Sequence, residues 1–441
     1  TALAGAAPTG VETALAAYAG PLAGLYCLEA ARIPFPAGDP IAACRRAGDL
    51  ARAVAERWPS SAAAAMAVPA PKAQPAAPAA AGLAVREPAQ VRAGARLDEM
   101  PAEPMAVPVL AEAGVLTVGG GTGGAVAAVA AAQEGVPTFV VDMNPGLGGT
   151  GTYGGVDSYW IGWRHGYFKQ VCAWIDRQHD RLRYPRLHGI TPPWNIEAKT
   201  HALLSEARDA GVGLLFHALA FGTLVEGNTV RGVVAATRLG PVALLGQVTV
   251  DGTGDGDVAA FAGAEHVYGA ARDHAVMWYS LRPIPVPGRT RNNFTSMVDI
   301  TDIIDYNRAI LAARRRTPGL RYHDHGNYLA TRESRHIVGD VWVTLSDHLQ
   351  LRPWPDVINI SLSNNDIKGQ TDSDWFRCGM IPPQFEMETP YRALLPKGLE
   401  NILVTGKAVS VAHDALPAIR MQPDFENLGG AAGLAAALAV K

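Results

Sequence analysis

The sequence predicts an α/β fold: a Rossmann-like parallel sheet with an inserted β-meander, an α+β substrate cap and a helical N-terminal extension. Three observations predict it. Residues 115–142 read VLTVGGGTGGAVAAVAAAQEGVPTFVVD, which is strand, glycine turn, Ala-rich helix, strand, acid. β-Branched runs at 213–216, 218–225, 229–237 and 241–250 are punctuated by Gly227-Asn228 and Leu239-Gly240. They read as an antiparallel meander leading straight into a glycine–aspartate turn at 251–257. The chain closes with a strand at 402–405, a turn at Gly406 and an Ala/Gly-rich helix at 427–440.

The first of these segments points to a dinucleotide. Gly119 permits the tight turn, Gly121 lets a pyrophosphate approach the backbone, and Gly124 lets the helix pack on the strand. Thr122 and Gly123 open that helix, whose N-terminus offers free N–H groups and a positive dipole end to phosphates. Asp142 ends the second strand where it can accept hydrogen bonds from an adenosine ribose, and Met143 and Asn144 follow it. Residues 144–155 then carry too many glycines for a regular element, including Gly148 and Gly149 before Thr150. They read as an extended loop pressed against something flat and polar.

Composition sets the outer bounds. With 441 residues the chain can hold about two or three domains. A formal net charge of −3 leaves no electrostatic footprint for nucleic acid. Cys27, Cys44, Cys172 and Cys378 form no CxxC pair, so no metal knuckle or redox dithiol is expected. No apolar run is long enough for a membrane span. The chain starts at Thr1 rather than Met, which points to a removed signal, a cleaved precursor or simply the boundary of the piece. A cytoplasmic location is the expectation, with export after signal cleavage as the alternative.

Residues 1–58 read as a helical extension. Asp39 and Pro40 suit the N-cap and first position of its second helix. Too small and Ala-rich to bury a core alone, it is expected to contact another subunit in a homo-oligomer, or a separately processed chain. Residues 59–104 are an Ala/Pro-rich linker and a charged strap. Residues 105–156, 196–265 and 398–441 form the nucleotide domain, with Asn195 capping a helix over 196–210. Residues 157–195 and 266–397 form the cap, which carries most of the Trp, Tyr, His and Asn.

Four segments resemble one family: VGGGTGG (118–124) with Asp142, GLGGTGTYGG (146–155), VDGTGDGDVAAFAGA (250–264), and YRALLPKGLENILVTGKAVSVAHDALPAIR (391–420). RESRHIVGD (332–340) matches more loosely. The chain from about 113 onward resembles the FAD-dependent oxidoreductases of the two-dinucleotide-binding type, in particular the bacterial group containing tricarballylate-dehydrogenase-like enzymes. The resemblance implies FAD rather than NAD. It implies that Gly149 and Thr150 line the pyrophosphate and ribityl chain, and that Gly254, Asp255 and Asp257 form a second phosphate-side turn. It also sets the closing helix, with Asn427, Gly429 and Gly430 near its start, against the flavin ring. Two departures stand out. Lys407 follows Gly406 where many relatives carry an aspartate for a ribityl hydroxyl. No histidine occurs in 149–153, so the FAD is expected to be non-covalent.

Other motifs yield to plainer readings. The 251–257 turn imitates half of a calcium loop, but Ala262 stands where a bidentate glutamate is required. His323, Asp324, His325, His336 and His348 lack zinc-ligand spacing, so no metal is expected. Trp160 and Trp163, just after the glycine loop, are candidates for a ligand pocket.

The functional expectation is an oxidoreductase, a dehydrogenase or oxidase, taking a hydride from a carboxylate or polyhydroxylated substrate. Its electron acceptor is open. His336 and His413 are candidates for proton transfer, and Arg335 and Arg420 for binding a carboxylate. Arg332, Glu333 and Arg335 can equally form an internal ion-pair network. A flavin monooxygenase and a non-catalytic flavoprotein scaffold or redox sensor are the rival readings.

Overall fold

The computed structural model describes residues 84–86, 106–159, 165–184, 193–284, 296–315, 324–363, 366 and 385–441. The expected helices of residues 1–58, the linker, most of the strap, Trp160, Trp163 and His323 lie outside the described residues.

The strand β1 (Ala84–Arg86) pairs antiparallel with a later meander strand. Then β2 (Val109–Val118), α1 (Thr122–Gln133) and β3 (Thr138–Asp142) form the expected strand–turn–helix–strand unit. β2 starts six residues before the expected strand at 115. Its outer half carries exposed side chains, including Val109 and Leu110, and lacks the apolar run that marks its buried inner half. Helix α2 (Gly166–Leu182) precedes α3 (Ile196–Asp209), which Asn195 caps by accepting from the Ala198 amide at 3.1 Å.

Strand β4 (Gly213–Phe216) corrects the sequence reading. It lies parallel beside β3 rather than opening the meander. Helix α3 carries the chain across, so the strand returns parallel, as a crossover connection requires. The antiparallel meander is β5 (Leu219–Glu226), β6 (Thr229–Thr237) and the long β7 (Gly240–Asp251). The first half of β7 pairs antiparallel with β6, β2 pairs parallel with it from Ala243 to Asp251, and the closing strand pairs parallel with its last residues.

Short elements follow: α4 (Asp257–Phe261), β8 (His266–Tyr268), β9 (Ser280–Ile284), α5 (Ile303–Arg315), β10 (Asp324–Ala330), β11 (Arg335–Ile337), α6 (Leu345–Leu349), β12 (Val357–Ser363) and β13 (Phe385–Pro390). They pair as β8/β11, β9/β10 and β12/β13. The chain then re-enters the main sheet through β14 (Ile402–Val404), turns through α7 (Leu416–Ile419) and ends in α8 (Gln422–Val440). The main sheet therefore runs β4-β3-β2-β7, then β14 beside the C-terminal part of β7 and the meander beside its N-terminal part.

Helix α1 is apolar almost all round, as a helix buried on every side must be. It is sandwiched between the sheet and α8. Glycines make the crossing possible. A Cβ on Gly429 would lie 2.1 Å from the Gly123 carbonyl oxygen, and one on Gly433 2.0 Å from that of Ala127. Helix α8 begins at Gln422, five residues ahead of the expected start at Asn427. Pro423 in its first turn marks that start, since proline suits positions whose N–H has no helical partner.

Candidate active site

The carboxyl ends of the parallel strands converge, and their following turns are tied to one another. Gly119 N donates to Val141 O at 2.8 Å, Gly252 N to Val118 O at 2.8 Å, and Thr405 N to Asp251 O at 3.0 Å. This is the edge at which ligands bind open parallel sheets. It holds a cavity of about 310 Å³. Its wall comprises the opening of α1 (Gly121, Thr122, Gly123, Gly124), Gly149 and Thr150, Gly252, Thr253 and Gly254, Thr405, Gly406 and Lys407. Met421, Gln422 and Phe425 of α8, and Tyr328, Thr331, Arg332, Asp366 and Arg420 complete most of it.

The glycine turn is built as its spacing requires. Gly119 has φ +87°, and a Cβ there would meet Gly252 O at 2.5 Å. A Cβ on Gly124 would lie 1.9 Å from Gly119 O, so only glycine lets α1 start this close to β2. Gly121 caps α1 without a side-chain hydrogen bond, and the first turn has no acidic residue. The free N–H groups of α1 therefore face the cavity with no carboxylate competing for them.

Asp142 supports this turn from behind. Its Oδ2 accepts from Gly120 N at 2.6 Å, and its Oδ1 accepts from Asn144 N at 2.6 Å and Asn144 Nδ2 at 3.0 Å. Burial raises its pKa, opposed by these three donors. Two carboxylate oxygens offer about four lone-pair sites, so acceptor capacity is left on Oδ2. Asp142, Met143 and Asn144 are not on the cavity wall, and Met143 is exposed. Gly148 donates its N–H to Gly120 O at 2.8 Å, pinning the second glycine loop onto the first.

The glycine–aspartate turn divides its labour. Asp251, fully buried, accepts from Thr253 N and Oγ1 and from Ala259 N, which fixes the turn's shape. Gly254 reaches the cavity; Asp255 and Asp257 do not. Asp255 accepts from Ser334 Oγ at 2.6 Å and from Lys407 Nζ. Burial opposes its ionisation, but Lys407, Ser334 and Arg335 outweigh it and lower its pKa. Asp257 accepts from Arg335 Nη1 at 2.6 Å. Burial and the neighbouring Asp255 raise it to about 6 despite that guanidinium. Lys407 thus ties the turn after β14 to the turn after β7, a role the sequence reading did not foresee.

Arg335 is engaged in that ion pair and does not border the cavity; Arg332 and Arg420 do. His336 and His413 come together on one carboxylate. Glu333 Oε1 accepts from His336 Nε2 at 2.8 Å and from His413 Nδ1 at 2.7 Å, while Oε2 accepts from Met277 N at 2.8 Å. Burial alone would raise Glu333, but the two imidazoles hold it down to about 2. It is therefore ionised and acceptor-only at neutral pH, so both facing ring nitrogens carry protons. The opposite nitrogen of His336, Nδ1, is buried without a partner. For His413, burial favours the neutral ring, yet Glu333, Asp414 and Asp273 raise its pKa. Neither histidine is on the cavity wall, but Arg420, which is, lies within electrostatic reach of Glu333.

The glycines of α8 take a structural place. Gly429 packs on Gly123, and a Cβ on Gly430 would run into the Tyr167 ring. Asn427 Oδ1 accepts from Phe168 N at 3.0 Å. The first turn of α8, with Met421, Gln422 and Phe425, faces the cavity in their stead. Behind it a buried Lys199–Glu426 pair at 2.9 Å, joined by the Tyr159 hydroxyl, steadies Gln422 through a 3.4 Å contact from Lys199 Nζ. The sequence carried no signal for these pairings, which join residues more than 200 positions apart.

Comparison with known proteins decides the family. The model of the family described as FAD dependent oxidoreductase matches residues 114–315 and 290–441. The chain belongs to this family. FAD is its cofactor and oxidoreduction its class of chemistry. No curated protein matches the sequence. Among solved structures, a geranylgeranyl bacteriochlorophyll reductase-like protein from Thermoplasma acidophilum is similar at TM-score 0.39 and 15% identity, over 75% of this chain and 78% of that one. The anhydrotetracycline hydroxylase OxyS from Streptomyces rimosus is similar at TM-score 0.40 and 13% identity, over 75% of this chain and 62% of that one. Neither likeness bears on substrate or mechanism.

The residues present fit this cofactor. The α1 N-terminus is uncapped by any side chain and opens on the cavity. Gly149 sits so close to Gly121 that its Cβ would lie 2.9 Å from the Gly121 Cα, leaving two bare backbone turns side by side. Thr405 Oγ1, on the wall and buried, has no hydrogen-bond partner in the protein. Among the described residues no group of three or more His, Cys, Asp or Glu could hold a metal ion. None of the described helices is long and apolar enough to cross a membrane.

Proposed function

We propose that the chain is a dehydrogenase or oxidase that removes a hydride from a small polar organic substrate seated in this cavity. The observation that supports it most is the cavity's mixed wall. It combines bare glycine backbone and a helix N-terminus, suited to phosphates, with Tyr328, Thr331, Arg332 and Arg420, suited to a polar organic molecule. FAD, when bound, supplies the two-electron acceptor; the protein supplies binding, orientation and charge.

The chain's own residues then have separable tasks. The α1 N-terminus and the turns at Gly149, Gly252 and Gly406 hold the cofactor. Lys407 locks two of those turns together. Glu333 fixes the His413 ring through Nδ1, leaving Nε2 as the nitrogen for proton transfer, and the same carboxylate lies within electrostatic reach of Arg420 on the wall. His336, held by the same carboxylate at full burial, supports Glu333.

Anaerobic bleaching of the bound flavin tests the reading. A panel of carboxylates, polyols, sugars and amines is mixed with the holoenzyme and the loss of visible absorbance is followed. At least one class should bleach the flavin rapidly. Bleaching by NADPH alone, with none by any panel member, would favour a monooxygenase instead.

A further inference from the structure

We infer that the cavity between α6 and the β12/β13 pair is a second binding site, built for a small organic cation such as a protonated aliphatic amine. It shares no wall residue with the cofactor cavity.

The argument starts from an imidazole with nothing to bond. His348 of α6 stands on the wall of this second cavity, which measures about 210 Å³, and is only 2% exposed. Neither its Nδ1 nor its Nε2 has a hydrogen-bond partner. Burial lowers its pKa to about 4, against the opposing pull of Asp347. At neutral pH the ring is therefore uncharged, with one nitrogen an N–H donor and the other a bare acceptor. Buried polar groups left unmade carry a penalty that a bound partner removes. The neighbouring Asp347 is occupied elsewhere. Its Oδ2 accepts from Thr344 N and Oγ1, and its Oδ1 from Arg352 Nη1 at 2.8 Å.

The wall is acidic. Among the described residues that line it, the anions are Asp347, Glu386 and Glu388, and the cation is Arg352. Arg352 is committed to Asp347 and lies over the Trp354 ring, its Cζ 4.1 Å from the centroid. Glu386 and Glu388 are two residues apart on β13, so they project from one face, roughly 7 Å apart along the strand. Glu388 Oε2 accepts from Trp354 N at 2.7 Å, but among the described residues neither glutamate has a cationic partner. Two negative charges thus stand unopposed beside an imidazole that adds none. A cation restores the balance, and one that carries N–H groups can also donate to the bare imidazole nitrogen. Leu351, Trp354, Ile360 and Met387 supply apolar wall for its carbon body. A metal ion suits the place less well, since no group of three or more His, Cys, Asp or Glu among the described residues could hold one. An anion would meet like charge, and a neutral alcohol would leave the glutamates unopposed.

The test is calorimetric titration of the flavin-loaded, full-length protein with n-butylammonium chloride, with 1-butanol and sodium butyrate as its neutral and anionic counterparts. Butylammonium should bind, and the other two should bind at least tenfold more weakly. Glu386→Gln and Glu388→Gln, combined in one protein, should weaken butylammonium tenfold or more. His348→Phe, which fills the same place without the nitrogens, should weaken it as well; the glutamate variant carries the test alone where His348→Phe does not fold. No binding of butylammonium, equal binding of 1-butanol, or full affinity in the double glutamine variant would overturn the site. Tighter binding of magnesium or calcium chloride than of butylammonium would also overturn it, by making this a metal site.

Discussion

Glu333 carries the densest electrostatics near the cavity. One carboxylate, fully buried, satisfies two imidazoles and a main-chain amide. The two histidines are not equivalent on it: His336 is fully buried, whereas the His413 side chain keeps 10% exposure. His413→Ala should therefore keep FAD and slow substrate-driven flavin reduction by roughly 100-fold, the usual worth of a proton-transfer group. His336→Ala should chiefly lower thermal stability. Stopped-flow reduction at saturating substrate separates them, and an unchanged rate in His413→Ala would remove it from the reaction. Asp424 gives a stability prediction with a definite pH dependence. Burial raises it to about 7, although Ser361, Asn359 and the Met421 amide favour its ionised form. The folded state thus holds its proton more tightly than the unfolded state. The stability this contributes is complete below the ordinary aspartate pKa and is lost as pH rises through about 7. Asp424→Asn should stabilise the protein at pH 8 by on the order of 1 kcal/mol or more, with the gain shrinking toward pH 4. A gain that grows on acidification would contradict the assignment.

The helix pair α1 and α8 decides whether the cavity exists at all. Their contact is backbone against backbone, with Gly429 on Gly123 and Gly433 on Ala127. Gly123 also borders the cavity. Gly429→Ala should force the helices apart, costing about 1–3 kcal/mol and weakening FAD retention together. Thermal unfolding and flavin content after gel filtration report both, and an unchanged melting temperature would show that the crossing is looser than this. At this scale the sequence was informative where chemistry repeats. The Gly119/Gly121/Gly124 spacing revealed α1 and its neighbours, and Asn195 revealed the start of α3. It was less informative where an element's role depends on a distant partner. The sequence reading set Gly429 and Gly430 against the flavin ring; their packing on the Gly123 carbonyl and the Tyr167 ring joins distant segments that no local pattern encodes. The true start of α8 was legible in Pro423, yet the run of glycines drew the boundary too late.

The molecule as a whole gathers the turns after β2, β7 and β14 at one edge of a parallel sheet and lays short cap elements against them. The parallel core was legible at β2, β7 and β14, where a glycine turn follows the strand at Gly119, Gly252 and Gly406. The position of β4 was not, because a short apolar run after a helix reads alike in a meander and in a crossover. Arg332, Tyr328, Gln422 and Lys407 were missed as cavity residues for a simpler reason. They come from three segments whose meeting no local pattern encodes. Arg335 illustrates the same limit, being three residues from Arg332 yet bonded to Asp257. We expect this edge to hold FAD without a covalent bond; among the described residues its wall contains no histidine or cysteine. Acid precipitation of the purified protein, with flavin identified and counted in the supernatant, tests it most directly. One FAD per chain, released in full, is the expected result; FMN in its place, no flavin, or flavin retained on the pellet would contradict it.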